Sequence, residues 1–216
     1  MSGIKVVCLE GPHGAGKTSL TAQFTEAGFL TLDEAFLDLE SDALHPQTLT
    51  MEVHWSSCWF QRILKIAHKL KKSEESKDKN IVLVADRSPF SAVYYAKNGY
   101  LLEPVIKAQI KELRDLANIS IYTVYIKVEK EKLWERIQER LKEEPERKAY
   151  NEDSRDWFEK TVEFYDNFHW DISIENNEES ISKAKVALIK LLTKETILEQ
   201  QPQEIQQKTQ SNSLKI

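Results

Sequence analysis

Short runs of β-branched and other apolar residues alternate along this chain with longer stretches whose apolar positions recur every three or four residues. The short runs are Ile4–Leu9, Gly28–Leu32, Ile81–Ala85, Ile119–Val128 and, more weakly, Trp170–Ile174. Continuous apolarity over so few residues, with glycine or polar residues after it, predicts strands buried on both faces of a parallel sheet. The longer stretches predict a helix from Lys17 and others over Pro46–Lys72, Ser91–Leu116 with a break near Asn98-Gly99, Lys130–Glu144, Asp153–Phe168 and Glu178–Lys194. Strand and helix alternating in this way predict an α/β fold of three layers, a central, mainly parallel five-stranded sheet flanked by helices. In such sheets a ligand lies at the carboxyl ends of the strands.

Lys71–Asn80 is charged and without period, which reads as an exposed connection. From about Thr196 the chain is rich in Gln and Ser and poor in large apolar groups. The expected organisation is one domain over 1–195 and a disordered tail over 196–216.

Composition narrows the surroundings. A chain of 216 residues buries a sufficient core without disulfide staples. Its two cysteines, Cys8 and Cys58, supply neither a disulfide framework nor a four-ligand zinc site, so reduced thiols and a cytoplasmic or otherwise intracellular setting are expected. Met1-Ser2-Gly3 runs straight into the first strand, leaving no room for a secretion signal. No apolar stretch approaches the roughly 18 to 20 residues that span a bilayer. A net charge of −5 gives no global field to hold duplex nucleic acid, so any anionic ligand needs a local basic cluster.

Such a cluster comes directly after the first strand. Gly11-Pro12-His13-Gly14-Ala15-Gly16-Lys17-Thr18 fits G-x-x-x-x-G-K-[ST] and sits between a predicted buried strand and a predicted helix, where that loop cradles phosphates with backbone N–H groups and the helix's positive end. Three of only six glycines fall inside it. Nucleotide contacts are expected from Gly11, His13, Gly14, Ala15, Gly16, Lys17, Thr18 and Ser19. Lys17 reaches the β- and γ-phosphates of ATP, and the Thr18 hydroxyl holds Mg²⁺. His13 occupies a free position of the pattern, where a solvent-facing or loop-packing role is expected and catalysis is not.

Ile81–Ala85 ends in Asp86-Arg87-Ser88, an ionisable pair at a strand tip facing the same phosphates. Asp86 is the second candidate metal ligand and Arg87 a planar clamp for a moving phosphoryl group. Asp33 and Glu34 come after the second strand in the same way, offering a carboxylate to take a proton from an acceptor hydroxyl. Over Lys130–Glu144, Lys132, Arg136 and Arg140 form a basic stripe able to close over a polyphosphate.

Together these segments resemble the deoxynucleoside kinase and thymidylate kinase superfamily over roughly Ile4–Phe168. Asp86-Arg87-Ser88-Pro89-Phe90-Ser91 looks like a blend of the Glu-Arg-Ser segment of the first group and the Asp-Arg-aromatic segment of the second. Ser91–Asn98 is similar to the helix found next in deoxynucleoside kinases. The resemblance implies a P-loop kinase fold with a helical lid in which Arg136, Arg140 and either Lys142 or Arg147 contact phosphates. It also makes Glu34 the catalytic base and Phe60-Gln61, with Trp55, the reader of an acceptor base. The chain departs from the pattern at Asp86, where glutamate is usual, and at Ala35, where proline is usual.

These readings imply ATP- and Mg²⁺-dependent phosphoryl transfer to a nucleoside or nucleoside monophosphate, thymidine or dTMP first, with a homodimer compatible. Two alternatives reuse the phosphate loop: a P-loop kinase of another small metabolite, and an NTPase switch acting on protein partners. Against the switch, no Asn-Lys-x-Asp segment occurs and Asp86 is not succeeded by x-x-Gly.

Overall fold

The computed structural model describes residues 3–34, 44–73, 80–176, 185, 186, 188 and 189. In chain order its elements are β1 (Ile4–Glu10), α1 (Lys17–Glu26), β2 (Leu30–Leu32), α2 (Leu49–Lys72), β3 (Ile81–Asp86), α3 (Ser91–Tyr95), α4 (Glu103–Ala117), β4 (Ile119–Lys127), α5 (Lys130–Glu143), α6 (Arg155–Asn167) and β5 (Ile172–Glu175). Two 3₁₀ segments, Gly99–Leu101 and Pro145–Tyr150, interrupt the helical stretches. All five expected strands are present, in the order β2-β3-β1-β4-β5, and every neighbouring pair is parallel. This is the expected P-loop kinase fold. β1 and β3 each run one residue further than the apolar pattern indicated, ending on Glu10 and Asp86.

The chain divides into two compact units, Met1–Ile181 and Ser182–Ile216, and the whole sheet belongs to the first. The helix expected over Glu178–Lys194, apart from four helical residues, and the tail over 196–216 lie outside the described residues. So does 74–79 of the connection expected over Lys71–Asn80. No described helix is long and apolar enough to cross a membrane.

All seven residues of β1 are buried, as a central strand with helices over both faces requires. On one side α2 lays Trp55, Trp59, Phe60, Ile63 and Ala67 against a cluster that includes Leu32, Leu83 and Ala85. These positions recur at three and four residues, so they share one helical face. The predicted break before α4 has a steric cause. A Cβ on Gly99 would stand 2.4 Å from the Val93 carbonyl oxygen, and Asn98 before it has φ 60°. Downstream, α6 begins at Ser154, whose hydroxyl accepts from the Trp157 N–H at 3.3 Å.

Ile63 is buried at the centre of this packing, while the next residue, Leu64, is 47% exposed. Ile63→Ala is expected to lower the unfolding free energy by about 2–5 kcal/mol. Leu64→Ala should change it by less than about 0.5 kcal/mol. Urea denaturation of both variants checks the contrast.

Candidate active site

The strand register brings the site together. Leu9 pairs with Asp86, Leu32 with Ala85 and Glu10 with Tyr125, so three strands end at nearly one level. The residues just beyond the strand ends, namely the glycine-rich loop, Asp33-Glu34 and Arg87-Ser88, therefore converge at one edge of the sheet.

The loop between β1 and α1 has the strand–loop–helix arrangement of a P-loop. Lys17 is buried and folds back over it, its Nζ donating to the Gly11 and Pro12 carbonyls at 2.8 and 2.9 Å. Burial lowers the Lys17 pKa to about 7, with Arg87 adding to the shift and Asp86, Glu34 and Glu10 opposing it. Thr18 and Ser19 are exposed at the open first turn of α1, whose N–H groups have no partners within the helix. Gly14, at φ 79°, lies under α5: an added Cβ would stand 3.2 Å from Ile137 Cγ1. On the far side the Asn176 side-chain amide donates to the Ala15 carbonyl at 3.1 Å, a brace the sequence did not announce.

The Thr18 hydroxyl donates to Asp86 Oδ2 at 2.6 Å. Asp86 is 2% exposed, and its other oxygen, Oδ1, has no hydrogen-bond partner. A buried carboxylate oxygen without a donor beside a hydroxyl fits a hard cation such as Mg²⁺. Among the described residues no group of three or more His, Cys, Asp or Glu side chains is placed to hold a metal, so Thr18 and Asp86 need further oxygen ligands from water or phosphate.

Arg87 adopts φ 71° and is 2% exposed. One terminal nitrogen donates to Tyr165 Oη at 3.0 Å and to the Gly11 carbonyl and Ser91 Oγ at 3.3 Å. Its Nε lies 2.7 Å from Glu34 Oε1, and its guanidinium carbon stands 5.1 Å from the centre of the Tyr95 ring. Burial opposes its charge, yet Glu34 and the other facing groups prevail and hold its pKa well above the usual value.

Beneath Arg87 lies a fully buried carboxylate not singled out from the sequence. Glu10 Oε1 accepts from the Ser88 N–H and hydroxyl at 2.7 and 2.6 Å, and Oε2 accepts from the Ser91 hydroxyl at 2.8 Å and Tyr165 Oη at 3.4 Å. Burial raises its pKa, against the pull of Arg87 and the two serines. The available signal was an acid ending an otherwise apolar strand directly before the loop.

A cavity of about 340 Å³ opens in front of Thr18, Asp86 and Arg87. Glu34, Trp55, Arg140 and His13 also line it. Trp55 Nε1 donates to the Glu34 carbonyl at 3.0 Å. His13 packs against the rings of Tyr95 and Trp157, and its Nδ1 is 3.1 Å from Glu152 Oε1. Burial foremost, then Arg87, holds the His13 pKa well below the usual value.

Of the phosphate-loop residues only His13 and Thr18 line this cavity, and among the residues expected to read the acceptor or close over phosphate, Phe60, Gln61 and Arg136 do not. Gln61 is exposed and Phe60 packs in the core against Trp59, because Gln61 lies nine residues, half a helical revolution, from the cavity-lining Glu52. Arg136 is half-buried outside the lining, one turn before Arg140 on α5. Arg147 stands in the lining instead, donating to Glu152 Oε1 at 3.2 Å and sharing Glu144 with Arg140. Lys142 is on the surface, paired with Glu139. Glu52 and Glu152 are lining acids that sequence reasoning missed.

A protein-family model described as AAA domain matches residues 6–170. The chain belongs to the AAA domain family. The match runs from β1 to the segment before β5 and so contains the loop, Asp86 and Arg87. Among solved structures, this AAA domain is similar to deoxyadenosine kinase from M. mycoides, at 14% identity and a TM-score of 0.48, over 88% of this chain and 99% of that one. It is likewise similar to thymidylate kinase from Ehrlichia chaffeensis, at 16% identity and a TM-score of 0.47, over 88% and 99% of the two chains. Shikimate kinase from Acinetobacter baumannii shares 18% identity at a TM-score of 0.45, over 88% and 93%. No curated protein sequence matches the chain.

Lys17 supplies a measurable consequence. With a pKa of about 7 in the free loop, it is largely neutral at pH 8, and a triphosphate placed against it favours the charged form. Binding of ATP is expected to take up a proton near pH 8 and to weaken as pH rises. Titration calorimetry in buffers of different ionisation enthalpy measures that uptake, and Lys17→Ala should abolish it.

Proposed function

We propose that this chain is an ATP- and Mg²⁺-dependent phosphotransferase whose acceptor is a nucleoside or nucleoside monophosphate. The observation that carries this reading is the Thr18–Asp86 pair, with its unpartnered buried oxygen, opening directly on a cavity of about 340 Å³ beside the phosphate loop. That juxtaposition leaves room for an acceptor next to a γ-phosphate.

In this reading the loop amides and Lys17 hold the donor triphosphate, and Thr18 and Asp86 hold the metal. Bound Mg²⁺ supplies charge neutralisation on the phosphate oxygens. Arg87, pinned by Glu34 and Tyr165, faces the transferring group, and Arg140 with Arg147 lies across from it. Arg136 stands one turn before Arg140 on α5, outside the cavity lining. Glu34 takes the proton when the acceptor is a sugar hydroxyl, whereas a monophosphate acceptor requires no base. Catalysis is then chiefly positioning and charge compensation.

A panel of deoxynucleosides and their monophosphates, thymidine and dTMP first, assayed with ATP and Mg²⁺ for ADP release, tests the reading. Acceptor-dependent ADP release is the expected outcome. Release that ignores the acceptor and rises with a protein partner would favour a switch, and no release at all would sink the proposal. Arg87→Ala is expected to lower kcat by about 10³-fold or more while the Kd for ATP moves only a few-fold. Retention of most wild-type turnover would remove Arg87 from this role.

A further inference from the structure

Glu52 is the feature of the cavity that phosphate chemistry does not use. It stands in the first turn of α2, and its side chain lines the cavity although the residue is only 2% exposed. No described residue makes a hydrogen bond or ion pair to its carboxyl group. An acid buried in this way costs several kcal/mol when ionised without a partner. Packing alone gives no reason for an acid here, since an apolar side chain fills the same volume without that cost.

Its neighbours describe what it faces. Glu34 from the β2 end and Arg87 from the β3 end act on it in opposite senses, the acid raising and the arginine lowering its pKa. The other ionisable groups of the lining are Tyr95 of α3, His13 and Asp86 near the loop, and Asp33 after β2; on the lid side stand Arg140, Arg147, Tyr150 and Glu152. Several of these are already engaged: Asp33 with Arg62, Glu34 with Arg87, and Glu152 with Arg147 and His13. Burial dominates, and the Glu52 pKa stands at about 8. At neutral pH the group is therefore a carboxylic acid, which presents one O–H donor beside one C=O acceptor. That is the hydrogen-bonding face of a side-chain amide. Trp55, less than one turn further along the helix, supplies a flat aromatic surface to the same cavity.

We propose that Glu52 is the specificity-determining residue of the acceptor cavity, its buried carboxyl group reading the edge of a nucleobase, with Trp55 of the same lining beside the ring. This rests on the phosphotransferase reading above and assigns to Glu52 the reading role that the sequence pattern had pointed to at Gln61. Ionisation removes the donor and leaves a bare charge in the pocket, so acceptor recognition fails as pH rises through about 8.

The test is the pH profile of kcat/KM for the acceptor, measured at saturating ATP so that titration of Lys17 in the free loop does not enter. The wild type, assayed with the best deoxynucleoside or monophosphate of the panel, is expected to lose about tenfold in kcat/KM per pH unit above about 8. Glu52→Gln keeps the donor–acceptor pair without the titration, so it should retain most of the activity at pH 7 and lose the alkaline limb. Glu52→Ala should raise the acceptor KM by about 10- to 100-fold while the KM for ATP stays within a few-fold. An alkaline limb unchanged in Glu52→Gln, or an acceptor KM unchanged in Glu52→Ala, overturns the assignment and leaves the phosphotransferase reading standing. Absence of turnover by the wild type on every acceptor overturns both.

Discussion

The site depends on one buried carboxylate. Glu10 ends the central strand with no exposure to solvent, and four donors from Ser88, Ser91 and Tyr165 converge on its two oxygens. Removing one of these donors leaves a buried carboxylate oxygen short of a hydrogen bond, at a cost of about 1–3 kcal/mol or more. The Ser88 N–H and hydroxyl are therefore held where Glu10 needs them, and the Asp86-Arg87 turn before them is held too. Because Glu10 immediately precedes the glycine loop, the same contact fixes the distance between the loop and the tip of β3. The Thr18–Asp86 hydrogen bond, 68 residues apart in sequence, results from that spacing.

Charge is arranged around this anchor in layers. Arg87 lies over Glu10 and is itself covered by Glu34, so a guanidinium that would be costly to bury alone stands between two carboxylates. Lys17 turns onto carbonyls of its own loop, and burial lowers its basicity. Across the cavity Arg140 and Arg147 share Glu144, while Glu152 links Arg147 to His13 of the loop. The segment after α5 is thereby tied to the phosphate cradle through this histidine. Three arginines, Arg87, Arg140 and Arg147, thus meet at one cavity, each paired with a carboxylate.

The loop and the strand tips were legible because their signals are local. A glycine-rich turn after an apolar run, and an Asp-Arg pair after another, carry their meaning in adjacent residues, and parallel pairing brings such tips together in any sheet of this kind. Glu10 was not legible, since an acid at the end of a strand acquires its role only from donors 78 and more positions away. Gln61 and Arg136 were drawn towards the site by local pattern, yet each lies outside the cavity lining. Glu52 lines the cavity without a motif to mark it.

The sequence by itself determined the order and type of the elements, the phosphate loop and the strand-end residues Asp33, Glu34, Asp86 and Arg87, because hydrophobic period and turn chemistry act over a few residues. Tertiary structure alone decided which side chains of α2 and of the α5–α6 segment enter the cavity. Helical phase relative to a pocket depends on how Trp55, Trp59, Ile63, Leu133 and Ile137 pack on the sheet and loop, and a shift of two residues turns a helix by about 200°.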